Sequence, residues 1–446
     1  MTGIYGLIHM AVDLSCAFLM YAFVVGGEHW YIWLLAYNFC AFALQMPIGA
    51  GADRLDRNSL VAAGGCGGVL CGLVLAMAGM PAMASVIAGI GNACFHVGGG
   101  IDVMNRSGNR AALLGMFVAP GALGIVLGSS IGRYGNRITE GTMRVGTALA
   151  LAMAVSAAAI CVMAERKGIW RRSGNAPVTY GNLSFSQRMA VLCFLGTVIL
   201  RSYSGMVQDF PWKEELAGSA WFLVCAVVLG KMAGGVLADC MGVEQATQRS
   251  MCAAAAGFLC QMYPLTGILG VFCWNMSMPL TLWAVSGLFP GAKGFGFGLL
   301  TFGLFVGFCI SGGSRDIYRR SCQGGCFPGR HGCDGHPVHA AFDMGDKAGE
   351  GMMGIWVIGT LAVSLGLTIV LEETFGWMWG VRNRWDMTLV VLVNVLTNPA
   401  VVYLYYMNMI FVGWNRILVT VFLEMAAAAA EGLCYGAAGR GIRHPW

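Results

Sequence analysis

The sequence consists mainly of long apolar stretches separated by short polar breaks. Fourteen stretches have about 20 residues, the length with which a helix crosses the hydrocarbon core of a bilayer. Because lipid offers the backbone no hydrogen-bond partners, each stretch is predicted to be a helix. We therefore predict an all-α integral membrane protein. The predicted spans are 4–26, 30–49, 59–79, 82–103, 111–131, 145–164, 188–208, 218–238, 250–267, 269–289, 293–313, 352–372, 387–411 and 417–437.

Composition excludes a soluble protein, and the charges indicate an orientation. Of the 446 residues, 57% are hydrophobic and only 11% are charged, whereas about a quarter of the residues in soluble domains are charged. The net charge of +5 reflects Lys and Arg residues in the loops, more of which fall on the side of the N-terminus. Both termini are therefore predicted to be cytoplasmic. We expect the lipid bilayer as a partner and no nucleic acid.

Two long polar loops divide the predicted spans into sets. The first loop, 165–187, is predicted to be a cytoplasmic linker between a bundle of six helices in 1–164 and a second bundle of six in 188–372. The second loop, 314–351, lies inside the second set. The final segment, 373–446, appends two further spans to the two sets of six.

A short pattern occurs at the end of the second span in each set. Gly49 precedes Asp53 by four residues, and Gly235 precedes Asp239 by the same spacing. An even number of spans separates the two copies, so they share an orientation, as in a parallel repeat about the membrane normal. Glycine permits close helix contact, and the Asp can bond to a helix N-terminus or to an Arg. The alternative is two ordinary loop starts.

Ionisable residues inside spans are costly and therefore mark candidate functional sites. His9 and Asp13 are four residues apart, hence on one helix face, and are interpreted as proton-handling or substrate-gating residues, or as a structural pair. His96 in the fourth span is a further candidate, with simple packing as the alternative. Arg201 in the seventh span needs a counter-charge. It indicates either an anionic substrate or a salt bridge between bundles, to Asp13 or Asp209.

The loop 314–351 combines Cys and His residues. Cys322, Cys326, His331 and Cys333 offer metal ligands, but their spacing matches no zinc-finger pattern. A disulfide on the predicted outer face and a Gly-rich insert without either function are the alternatives. We therefore expect no resident metal or other cofactor, and keep these four residues as the metal candidates.

The pattern Gly49-x-x-x-Asp53-Arg54-x-x-Arg57 resembles the loop motif of the major facilitator superfamily. The resemblance covers about residues 1–372. It implies a fold of two pseudo-symmetric six-helix bundles around a central cavity, in which the motif residues gate the inner side. The two appended C-terminal helices lie outside it.

Within that superfamily the chain is most similar to the fosmidomycin-resistance-type efflux branch. His9-x-x-x-Asp13 resembles the first-span motif of that branch. The segment from Gly89 to His96 resembles its fourth-span motif, and Arg201 its seventh-span arginine. The fifth span is similar to the glycine-rich motif of antiporters, through Gly121, Gly124 and Gly128.

These observations together predict a secondary active transporter in the cytoplasmic (inner) membrane. The sequence has no P-loop, nucleophile elbow or H-E-x-x-H motif, so we expect neither an ATPase nor another enzyme. The resemblance implies proton-coupled efflux of a small amphiphilic or anionic compound by alternating access. The alternatives are a membrane-embedded enzyme or sensor that uses the Cys/His loop, and nutrient uptake by the same fold.

Overall fold

The computed structural model describes residues 2–27, 29–108, 110–134, 139–165, 173, 175–178, 184–208 and 210–310. The chain divides into two compact units, and the contacts given below lie in the unit that contains Met1–Phe308. Over the described ranges the structure is all-helical and has no strand. Helix formation throughout satisfies the backbone within each segment, as the apolar pattern requires.

Eleven helical segments account for nearly all described residues. They are α1 Thr2–Val24, α2 Trp30–Leu55, α3 Asn58–Met77, α4 Pro81–Ser107, α5 Ala112–Tyr134, α6 Glu140–Glu165, α7 Phe185–Val207, α8 Ser219–Met241, α9 Val243–Leu259, α10 Pro264–Leu288 and α11 Lys293–Ile310.

Ten of these helices are long and apolar enough to cross a membrane. The prediction of an all-α, multi-pass membrane protein is confirmed. The helix outside the ten is α9, which has 17 residues. The predicted spans 352–372, 387–411 and 417–437, the segment 373–446 and the Cys/His loop lie outside the described residues, as do the loop's metal candidates Cys322, Cys326, His331 and Cys333.

The helix break between α9 and α10 differs from the predicted spans 250–267 and 269–289. In the structure α9 ends at Leu259, and α10 begins at Pro264. Tyr263, just before the proline, has φ −101° and ψ 136°. A proline disfavours helical backbone at the preceding residue but fits the first helical turn. The apolar pattern runs across this break, so hydropathy alone placed the boundary between the two predicted spans too far along the sequence.

Close packing of α1 on α5 positions the candidate site. A Cβ on Gly124 would approach the Met10 carbonyl oxygen and the Leu14 nitrogen, and a Cβ on Gly128 would overlap the Leu14 carbonyl oxygen. Only glycine allows the two backbones to lie this close. The glycines predicted from the antiporter motif therefore form the groove in α5 that holds α1.

Candidate functional site

Three ionisable side chains meet between α1 and α4. His9 Nε2 lies 3.1 Å from Asp13 Oδ2 and 2.8 Å from His96 Nε2. His96 Nε2 is 3.6 Å from Asp13 Oδ1. His9 and Asp13 are 5% and 8% exposed, and His96 is half-buried. We call these three residues the His–Asp cluster.

Backbone carbonyl groups fix the orientation of both imidazole rings. His9 Nδ1 lies 2.7 Å from the Phe117 carbonyl oxygen, and His96 Nδ1 lies 2.9 Å from the Asn92 carbonyl oxygen. Since a carbonyl oxygen only accepts hydrogen bonds, each Nδ1 donates. In a neutral ring Nε2 then carries the lone pair, and both Nε2 atoms point into the cluster. Asn92 also donates from Nδ2 to Asp13 Oδ1 at 3.2 Å.

The local sequence explains how the cluster forms. His9 and Asp13 share one face of α1 because they are one turn apart. Gly121 of α5 faces them, and a Cβ at this position would overlap both Asp13 Oδ2 and His9 Nε2. Gly121 therefore leaves the space that the cluster occupies. Gly121 belongs to the predicted antiporter motif, and the structure places it against the cluster. The transport role of the motif stays a prediction.

Arg201 lies among residues of the second half of the described chain. It is 8% exposed, donates from Nη2 to Ser277 Oγ, and its guanidinium carbon is 5.6 Å from the centre of the Trp274 ring. Both partners belong to α10. Asp209, which we considered as its counter-charge, lies outside the described residues.

Sequence reasoning missed two members of this polar interior. Lys231 of α8 is 9% exposed and lies near enough to Asp13 and Arg201 to interact with both charges. In the sequence it lies about two turns before the predicted inner end of the span 218–238, a position from which a lysine can extend its charge to the membrane surface, so it was interpreted as structural and its burial was not anticipated. Asn92 was not singled out from the sequence, because it is uncharged and the search considered ionisable residues.

On the predicted inner side, two carboxylates bind helix N-termini of the other half. Asp53, at the end of α2, accepts the N–H groups of Gly294 at 2.8 Å and Phe295 at 2.9 Å, at the start of α11. Asp239, at the end of α8, accepts the N–H groups of Ala111 at 2.6 Å and Ala112 at 3.2 Å, at the start of α5. The first N–H groups of a helix generally have no acceptor within the helix, and the helix dipole favours an anion there. We call these the Asp53 contact and the Asp239 contact.

The glycine that precedes each Asp by four residues lies against the same partner segment. A Cβ on Gly49 would overlap the Gly294 carbonyl oxygen, and a Cβ on Gly235 would lie 2.6 Å from the Ala111 carbonyl oxygen. Glycine and Asp therefore act together: the first allows close approach, and the second bonds to the helix end.

Arg54 and Arg57, the remaining residues of the loop motif, lie at the inner end of the first half. Arg54 is exposed in the last turn of α2, and Arg57 is half-buried immediately before α3.

Comparisons with known proteins give likenesses at the level of structure. No protein-family model and no curated protein matches the sequence. A crystal structure of FucP, a Major Facilitator Superfamily transporter in the outward conformation, is 13% identical, with a TM-score of 0.45 over 72% of this chain and 93% of that chain. A bacterial homologue of the iron transporter ferroportin in an outward-facing state is 11% identical, with a TM-score of 0.49 over 99% of this chain and 100% of that chain. The fosmidomycin-resistance-type resemblance therefore stays a prediction.

A second polar group surrounds Asp102 near the C-terminal end of α4, on the predicted inner side. Its carboxylate accepts hydrogen bonds from Tyr5 Oη at 2.9 Å, Ser59 Oγ at 3.1 Å and Asn58 Nδ2 at 3.3 Å. Arg106 Nη2 is 3.9 Å away. The group joins α1, α3 and α4. Sequence reasoning missed it, although a carboxylate near the end of a predicted span was a usable signal.

Asn175 in the predicted linker binds the same inner region. Its backbone N–H donates to Asp56 Oδ1 at 2.8 Å, and its side-chain amide exchanges hydrogen bonds with that of Asn58 at 2.9 and 3.0 Å. Asn105 also donates to Asn175 Oδ1 at 2.7 Å. This part of the linker is thus fixed to the inner ends of α2, α3 and α4.

Proposed function

We propose that this membrane protein is a secondary transporter that works by alternating access. The observation that carries the proposal is the pair of contacts made by Asp53 and Asp239. Each joins the end of one helix to the start of a helix in the other half of the described chain.

The pairing of these helices supports a two-fold relation between the halves. If helices six apart are equivalent, exchange of the halves turns α2 into α8 and α11 into α5. The contact of α2 with α11 then becomes the contact of α8 with α5, which is the second one found. Two equivalent contacts on one side suit a pair of bundles that rock against each other. Such rocking must break both contacts to open the inner side.

We propose the division into bundles 1–164 and 188–372 joined by the linker 165–187, with 373–446 appended. In this proposal Arg201 and Lys231 are the groups that attract substrate. Both are long cationic side chains held inside the protein, and ionisable groups within spans commonly mark substrate pathways. The two residues favour a small anionic or amphiphilic substrate, and the His–Asp cluster lies on the same pathway. Proton-driven efflux from the cytoplasm is the direction that we propose from the family resemblance.

Reconstitution tests the proposal in steps. Full-length protein in liposomes is screened for counter-flow of a panel of small anionic and amphiphilic compounds, with protein-free liposomes as the control. We expect saturable counter-flow of at least one anionic compound. An imposed pH gradient should then drive its net movement, and the combined change His9→Ala and Asp13→Asn should abolish that driven movement. The change Glu140→Gln, in a carboxylate that pairs with Arg144 of its own helix, serves as the matched control.

The outcomes separate the parts of the proposal. Absence of counter-flow for the whole panel contradicts transport of this substrate class. Counter-flow that a pH gradient fails to drive contradicts proton coupling and leaves transport intact.

A further inference from the structure

We propose that the His–Asp cluster is a binding site for one divalent first-row transition-metal ion. The proposal concerns binding and holds whether or not the protein transports. Within the described residues the Nε2 atoms of His9 and His96 and a carboxylate oxygen of Asp13 lie within 4.8 Å of one another. Two imidazole nitrogens and one carboxylate oxygen are a donor set suited to Zn²⁺, Co²⁺ or Fe²⁺. Mg²⁺ and Ca²⁺ prefer oxygen ligands alone.

The hydrogen bonds around the cluster prepare both rings as ligands. A metal-binding His commonly donates its other ring N–H to a carbonyl or carboxylate oxygen, which fixes the tautomer and aims the lone pair. His9 does so through the Phe117 carbonyl group, and His96 through the Asn92 carbonyl group. The Asn92 side chain also orients the Asp13 carboxylate. All three candidate ligands are therefore held by neighbours that would support a bound ion.

The same arrangement suits a positive species between the ligands. With both Nδ1 atoms donating, two neutral rings would direct their Nε2 lone pairs at each other across 2.8 Å, with a carboxylate beside them. A single proton can bridge only two of these atoms, whereas a metal ion can bind both Nε2 atoms and the carboxylate at once. An ion that enters the cluster therefore takes the place of a shared proton.

The distances match the spacing of atoms around a small ion. Ligand atoms about 2.0–2.1 Å from an ion are separated by roughly 2.9 Å in octahedral and 3.4 Å in tetrahedral geometry. The corresponding separations here are 2.8 Å between the two Nε2 atoms, 3.1 Å from His9 Nε2 to Asp13 Oδ2 and 3.6 Å from His96 Nε2 to Asp13 Oδ1, so each ring faces a different oxygen of the carboxylate. Shifts of a few tenths of an ångström would bring all three onto one ion. Gly121 has no side chain that would crowd His9 Nε2 and Asp13 Oδ2.

Charge near the cluster sets the strength of binding. Asp13 supplies one negative charge. The Phe117 and Asn92 carbonyl groups accept hydrogen bonds from the two rings and so raise the basicity of the imidazole ligands. Lys231 lies near Asp13, and its positive charge opposes a divalent cation. Its removal should therefore strengthen metal binding, an effect opposite to that of removing a ligand.

The test is metal binding by the full-length protein in detergent. Cys322, Cys326 and Cys333 are first changed to Ser, so that the Cys/His loop does not contribute thiolate ligands. Zn²⁺ binding is measured by calorimetry, and Co²⁺ binding by visible absorption. We expect one equivalent of either ion, Co²⁺ bands without the intense charge-transfer absorption of thiolate ligands, and no displacement by millimolar Mg²⁺.

Variants in this background locate the bound ion. Asp13→Asn and His96→Gln should each abolish stoichiometric binding. Asn92→Ala, which removes the amide that orients Asp13, should weaken binding by about 10- to 100-fold. Lys231→Met should tighten binding, because it removes a positive charge that acts on Asp13. His29→Gln, in the turn between α1 and α2, is the matched control and should bind as the parent protein does.

The parent protein is the one that carries only the three Cys→Ser changes. Its metal binding tests the proposal even if a ligand variant fails to fold. Absence of a bound equivalent in the parent protein overturns the site, and so does unchanged affinity in folded Asp13→Asn or His96→Gln protein. A bound ion with no counter-flow of any compound would leave the metal site standing and contradict the proposed transport. Counter-flow without a bound ion would contradict the metal site and leave the proposed transport standing.

Discussion

Replacement of Asp53 by Asn tests the role assigned to the contacts on the inner side. The Asp53 carboxylate is 4% exposed and accepts two backbone N–H groups of α11. A hydrogen bond to a charged group contributes about 1.5–3 kcal/mol. Asn keeps one acceptor oxygen, loses the charge and turns an amide N–H₂ group toward a backbone N–H. We expect a loss of about 2 kcal/mol, equivalent to roughly a 30-fold shift toward separated inner ends.

Asp239→Asn should act in the same direction with a smaller effect. The Asp239 side chain binds two N–H groups of α5 in the same manner, but it is exposed, and solvent screens its charge. Since the two contacts share no residues, the double variant should shift the equilibrium by about the sum of the two single effects.

Spin labels on the inner side measure the shift. A ketone-bearing unnatural amino acid at the exposed positions Leu55 and Glu244 carries the labels and leaves the native cysteines unmodified. Electron–electron distance distributions in nanodiscs should gain a longer component in Asp53→Asn, a smaller one in Asp239→Asn, and none in the control Glu140→Gln. Distributions in both Asp variants identical to that of the parent protein would refute the reasoning.

Three further changes test other parts of the structure. Tyr5→Phe removes the hydroxyl that donates to Asp102 and should destabilise the protein by about 1–2 kcal/mol. The measurement is the midpoint of thermal unfolding in detergent, which should fall. An unchanged midpoint would contradict this contribution. Gly235→Val places a side chain against the Ala111 carbonyl oxygen and should separate α8 from α5, which the same spin labels would register as a longer distance. Arg201→Gln should raise the KM for an anionic counter-flow substrate about tenfold or more; an equal effect on an uncharged substrate would indicate a purely structural role.

The membrane-spanning helices could be predicted from hydropathy because each span satisfies its backbone hydrogen bonds within its own helix. That rule depends on length and apolar content, which are local properties of the sequence. It fails where a backbone effect cuts an apolar stretch, as at Pro264. The spacing of His9 and Asp13 was equally informative, since residues four apart on a helix are neighbours in any fold.

Contacts between distant segments could be anticipated only in part. Asp53 and Asp239 were recognised as possible partners of helix N-termini, but their partners at Gly294 and Ala111 lie 241 and 128 residues away in sequence. The meeting of His9 with His96, 87 residues apart, depends on how α1 and α4 pack. Composition and spacing do not determine such packing. The sequence therefore indicated His9, Asp13 and His96 as candidates but not that their side chains meet.

The position of α5 links the inner side to the His–Asp cluster. Its first residues carry the N–H groups that bind Asp239, the Phe117 carbonyl group orients His9, and Gly121 borders the cluster. Phe117 lies five residues after Ala112, about 8 Å along the helix, and precedes Pro120, the proline inside α5. A displacement of α5 large enough to break the Asp239 contact therefore also moves the carbonyl group that holds His9. In the proposed mechanism, a proton or metal ion in the cluster would then meet a different ligand geometry when the inner side is open than when it is closed, which is the differential affinity that coupling of site to gate requires.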